Sequence, residues 1–148
     1  MISEAGGWPT GETIEDLAEY AVAQGAEGYD VHEVRLCKCA VCGGQIFGVQ
    51  GDLEEHTAKR TCRSCGVEHF IADSAEYWDT TRTGVMVCEC DGDGDEQDHN
   101  VAVGYSLYAG GVGIRAIAIT SRCVACGRLG YWDDWMIRGG EMHLLDLA

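Results

Sequence analysis

Apolar positions recur in two rhythms along this chain. Between residues 13 and 24, Ile14, Leu17, Ala18 and Ala21 fall on one stripe at helical spacing, which predicts an amphipathic helix. Thr10 or Thr13 can cap its start, Glu12, Glu15 and Asp16 suit the positive end of its dipole, and Gly25 can stop it. The segment YDVHEVRL, from Tyr29 to Leu36, alternates instead and predicts a strand leading to the first cysteines. Residues 1–34 therefore read as an acidic lead-in of one helix and one strand.

Alternation is clearest further on. Val101, Val103, Tyr105 and Leu107 alternate with smaller residues, and the β-branched segment VGIRAIAITS returns after Gly110-Gly111, which predicts a hairpin with a two-residue turn. A third strand is expected at about residues 128–137, carrying Leu129, Tyr131, Trp132, Trp135 and Ile137. Plain alternation puts Trp132 on the face opposite Tyr131 and Trp135. The longest apolar runs are only a few residues, far short of the roughly 20 a membrane helix needs. The N-terminal MISEAGGWPTGE has neither a basic start nor an apolar stretch, so no secretory signal and a cytoplasmic location are expected.

Nine cysteines in 148 residues then change the picture. An odd number, with no secretory signal, argues against a disulfide scaffold. Spacing points to metal. The motif C-x2-C-G occurs at Cys39/Cys42, Cys62/Cys65 and Cys123/Cys126, and Cys88-Glu89-Cys90 is a tighter variant. Two intervening residues let one turn aim both sulfurs at a single ion, and four thiolates at about 2.3 Å satisfy tetrahedral Zn²⁺. The glycine permits the sharp turn that follows. Sequence order pairs Cys39, Cys42, Cys62 and Cys65 in one site and Cys88, Cys90, Cys123 and Cys126 in another, giving two Zn²⁺ per chain. Cys37 is left over. Its step to Cys39 matches that from Cys88 to Cys90, which offers Cys37 and Cys39 as the alternative pair, with Cys42 spare.

The cysteines also divide the chain into a first lobe, residues 35–84, and a second, residues 85–148. In each, cysteines precede a hairpin, more cysteines close it, and a further strand follows. His69-Phe70-Ile71-Ala72-Asp73 stands after its knuckle as Gly130-Tyr131-Trp132-Asp133-Asp134 stands after the other, the pattern of an internal duplication. Over residues 37–137 the chain resembles the zinc-ribbon superfamily, as a tandem pair. The segment RCVACGRLGYWDDWMI also resembles segments of uncharacterised actinobacterial zinc-ribbon-like proteins. The resemblance implies a mainly β fold with an N-terminal helix, each lobe a hairpin plus a third strand. Zinc ribbons serve many functions, so it implies no particular activity.

Charge narrows the function classes. Ten basic residues against 25 acidic ones give −15, and no Lys or Arg precedes Arg35. Such a surface repels phosphate backbones, so direct nucleic-acid binding is not expected, whereas a basic protein partner suits it. The loop DGDGDEQDHN, residues 91–100, starts like an EF-hand with Asp91, Asp93 and Asp95, but Glu96 and Ala102 stand where glycine and the bidentate Glu belong. Histidines 32, 56, 69, 99 and 143 match no catalytic zinc motif, and four-cysteine zinc sites leave no open position for water, so no enzyme is expected. The expected function is a zinc-binding protein acting through protein contacts. One alternative is an acidic inhibitor imitating nucleic acid, with carboxylates over residues 12–33 and Asp91, Asp93, Asp95 and Asp98. Another is a rubredoxin-like iron redox protein, since C-x2-C-G knuckles also hold iron.

Overall fold

The computed structural model describes residues 1–78, 83–90 and 97–148. Helix α1 spans Ile14–Gln24 and starts from the second of the two candidate threonines. Thr13 Oγ1 accepts the Asp16 N–H and Asp16 Oδ2 accepts the Thr13 N–H, a reciprocal capping box. The Met1 ammonium, with the Thr13 and Glu12 N–H groups, holds the Asp16 carboxyl down at about 2. Gly25 ends the helix with φ 75°. The buried face is Leu17, Tyr20 and Ala21, with Ile14 and Ala18 half-buried, so a tyrosine completes the stripe. Thr13→Ala should cost about 1 kcal/mol, read as a lower urea midpoint that Thr13→Ser restores.

Among the described residues eight strands follow: β1 (Glu33–Leu36), β2 (Phe47–Asp52), β3 (Thr57–Cys62), β4 (Glu68–Phe70), β5 (Gly84–Val85), β6 (His99–Leu107), β7 (Ile114–Cys123) and β8 (Leu129–Gly140). They form one antiparallel sheet in the order β4-β3-β2-β6-β7-β8, with β1 on β6 and β5 on β2. The fold is mainly β with an N-terminal helix. β1 is shorter than the alternating segment that predicts it. The β6–β7 connection is wider than the expected two-residue turn. A 3₁₀ turn at Ala109–Gly111 carries it, Tyr108 N–H bonds Gly113 O at 2.9 Å, and Gly110 takes the left-handed backbone at φ 84°. Among the described residues no helix is long and apolar enough to cross a membrane.

The strand order reads the same outward from the β2–β6 join, and the pairing repeats with it. Phe47 pairs with Cys62 as His99 pairs with Cys123, and Phe47 and His99 pair with each other. Arg60 pairs with His69 as Ser121 pairs with Gly130, so the pairing matches His69-Phe70 to Gly130-Tyr131. The lead-in strands are exchanged. β1 enters the first lobe but pairs with β6 of the second, and β5 enters the second but pairs with β2 of the first. The sheet and the largest apolar cluster, which includes Phe47, Val49, Val103, Tyr105, Ile117 and Trp135, run through residues 35–84 and 85–148 alike.

Strand alternation sorts the two faces. Val101, Val103 and Tyr105 enter the large cluster, whereas Ala102 meets Leu17, Tyr20 and Ala21 of α1. Small residues on the helix side let α1 and the lead-in lie close; a Cβ at Gly104 would stand 3.1 Å from Val31. On β8 the alternation breaks. Thr120 pairs with Tyr131 but Ile119 pairs with Asp133, so Trp132 is an extra residue, a β-bulge. The bulge shifts the phase. Trp135 joins the large cluster opposite Ile117, while Tyr131 lies on the helix side with its hydroxyl 3.3 Å from Gly25 O. The two therefore do not share a face, and plain alternation fails at this point. The sheet curls back on itself, bringing His56 at the β2–β3 tip to 3.2 Å from Asp133 on β8.

Candidate metal centres

Three of the four cysteine pairs are built by one local device. In each C-x2-C-G turn the first cysteine N–H bonds the carbonyl five residues on: Cys39 to Gly44, Cys62 to Val67 and Cys123 to Arg128, at 2.8, 2.9 and 2.9 Å. The glycine N–H returns to the first cysteine carbonyl at 2.8–2.9 Å. That return needs a left-handed residue, and Gly43, Gly66 and Gly127 have φ 76°, 79° and 78°. Backbone amides also point at sulfur. Gly44 N–H reaches Cys42 Sγ and Arg128 N–H reaches Cys126 Sγ, both at 3.4 Å. A Cβ at Gly44 would stand 3.1 Å from Cys62 Sγ and 3.3 Å from Cys42 Sγ, so glycine there keeps the sulfur cluster uncrowded.

These turns assemble two groups of four sulfurs: Cys39, Cys42, Cys62 and Cys65, and Cys88, Cys90, Cys123 and Cys126. Within each group all four Sγ atoms lie within 4.8 Å of one another. Closest approaches are 3.6 Å for Cys39–Cys65, 3.5 Å for Cys42–Cys62, 3.7 Å for Cys88–Cys126 and 3.8 Å for Cys90–Cys123. A disulfide is about 2.05 Å, so these are not bonded pairs. Four sulfurs about 2.3 Å from a central ion are separated by about 3.8 Å along each tetrahedral edge. Both groups could hold a metal ion. In each, two cysteines are buried and two exposed, so the ion would sit at the surface end of its hairpin. Among the described residues no histidine or carboxylate joins either group, and no other cluster of such residues closes to this size.

Backbone donors favour the thiolate at Cys39 and Cys62, whereas burial pushes Cys90 and Cys123 up. The Cys42 and Val41 N–H groups hold the Cys39 thiol down at about 6, in the thiolate range. Cys37 is the opposite case. Burial pushes its thiol up to about 12 despite the nearby Arg60 guanidinium, and it lies in the apolar cluster outside both groups.

Strand register explains why. Cys37 N–H bonds Val101 O as Met86 N–H bonds Val49 O, at 2.8 and 2.9 Å. The repeated pairing therefore matches Cys37 with Met86, both core residues, and Cys39 with Cys88. The resemblance of Cys37-Lys38-Cys39 to Cys88-Glu89-Cys90 is out of register, and the alternative pair of Cys37 with Cys39 is not what the fold assembles. Cys37→Ala should leave metal stoichiometry unchanged, whereas Cys42→Ala should lower it by one ion per chain, both read by native mass spectrometry.

The two groups flank the β2–β6 join. Cys62, Phe47, His99 and Cys123 form one row across β3, β2, β6 and β7. Three strand spacings put the two cysteine backbones roughly 15 Å apart. Arg63 Nε of the first lobe holds Asp98 of the second at 2.9 Å. Asp91, Asp93 and Asp95 of the acidic loop lie outside the described residues. No protein-family model, curated protein or solved structure matches the chain.

Proposed function

We propose that the protein is a zinc-stabilised tandem-ribbon protein of the reducing cytoplasm, without catalytic activity, that acts through contacts with a basic protein partner. The observation that carries this reading is the pair of closed four-sulfur groups, with closest approaches of 3.5–3.8 Å that fit a tetrahedral thiolate site. Cysteine fills every position in such a site, so the metal has no vacancy for water or substrate and its role is structural. Cys39, Cys42, Cys62 and Cys65 would hold one Zn²⁺, and Cys88, Cys90, Cys123 and Cys126 the other. Nine free thiols suit a reducing compartment. The charge of −15 favours a basic partner and disfavours nucleic acid.

Elemental analysis tests the metal. Two zinc per colourless chain is expected. A red protein with iron in the same groups overturns the zinc reading in favour of a redox role, and one metal or none overturns the two-site assignment.

A further inference from the structure

One large cavity lies away from the metal centres. It is a groove of about 910 Å³ where the β2–β3 tip, the turn at Ser74–Tyr77, β8 and the C-terminal segment meet. Its floor is apolar, formed by the largely buried Trp135, Ile137 and Leu144. Its walls carry six carboxylates, Glu27, Glu54, Glu55, Asp73, Glu76 and Glu141, and two histidines, His56 and His143, the latter 3.1 Å from Glu141, while no lysine or arginine is among the described residues lining it. The backbone is unusual here too. Glu27, His56 and Ala72, with φ of 52°, 59° and 54°, are the described non-glycine residues in the left-handed region, and all three line this groove. Such conformations cost free energy and tend to gather where a protein binds something.

We infer that this groove docks a basic, partly aliphatic segment of the partner protein. The inference rests on the reading of the protein as one that acts through protein contacts, and it places the contact. Charge complementarity selects the occupant. The carboxylates come from four separate segments and do not converge within ligand distance of one another, so a single metal ion is not what they are arranged to hold. Spread acids over an apolar floor match several cations carried on aliphatic stems. Lysine and arginine side chains lay their methylenes on apolar surface while their heads reach outward to charge. The cavity is at the upper end of the roughly 300–1,000 Å³ that ligand pockets occupy, room for several side chains.

The test uses the metal-loaded full chain and a short fluorescein-labelled peptide of alternating lysine and leucine, read by anisotropy. The triple variant Glu55→Gln, Glu76→Gln, Glu141→Gln is compared with Glu4→Gln, Glu15→Gln, Glu19→Gln, which removes the same charge elsewhere. The groove variant should lose about tenfold in affinity and the control less than twofold. Wild-type binding should weaken as salt rises. Equal losses in both variants would show attraction to net charge alone and overturn the groove, as would no binding by the wild type. Metal content and circular dichroism of each variant, unchanged on this inference, keep a failure of the groove separate from a failure of the metal centres.

Discussion

Stripping both centres with a strong chelator is expected to unfold the protein, with loss of its far-ultraviolet strand signal, and re-added zinc should restore it. The reasoning is one of magnitude. A domain of this size is stable by roughly 5–15 kcal/mol in total. Structural zinc contributes about 10–16 kcal/mol of apparent folding free energy per site at pH 7. Loss of both ions removes more than the whole margin. Without the ion, no bond ties the four sulfurs of each group together, and the thiols of Cys39, Cys62, Cys88 and Cys123 are buried. Cys62→Ser should act like a half dose of chelator. It breaks one centre and leaves the second ion bound, so metal content falls to one and the urea midpoint drops sharply. A chain verified to be metal-free that keeps its strand signal and melting temperature would overturn the structural role of the ions.

What the sequence shows of this fold is what local chemistry determines. A capping threonine, an i, i+3, i+4 stripe and a terminal glycine specify α1 within one stretch of chain, so its bounds are legible to a residue. The C-x2-C-G turns are legible for the same reason, since every bond that shapes them closes within five residues. The identity of Cys37 is different. Its neighbour Lys38 and its spacing to Cys39 imitate a ligand pair, and only its bond to Val101 shows that it corresponds to Met86. That bond crosses 64 positions, and no local periodicity reports it.

The exchanged lead-in strands are hidden on the same ground. β1 reads as a strand leading to the first cysteines, yet it pairs with β6 beyond the second set, and β5, which no sequence pattern announces, pairs back with β2. The bulge at Trp132 defeats a face assignment from alternation, because one extra residue inverts every side chain beyond it. The acidic groove is not legible in the sequence either. Its carboxylates are spread from residue 27 to residue 141 and meet only because the sheet curls until His56 touches Asp133.

Phe47→Ala is expected to destabilise the metal-loaded protein by about 3–5 kcal/mol, and to loosen both metal centres although it ligates neither. Phe47 is fully buried in the large cluster, with the Arg60 guanidinium 4.5 Å from its ring centre. The truncation therefore removes a large apolar ring and leaves a cavity under a charged group. The backbone row supplies the link to the metals. Phe47 pairs on one side with Cys62 and on the other with His99, which pairs with Cys123. A cavity at this join lets Cys62 and Cys123 relax away from the other three cysteines of their centres. Phe47→Leu keeps most of the volume and should cost less than about 1.5 kcal/mol. Competition with a zinc-binding dye separates stability from coupling. Both centres should release zinc at lower dye concentration in Phe47→Ala, and neither should in Phe47→Leu. If the urea midpoint falls while both zinc affinities hold, the row joins the ribbons without transmitting strain between them.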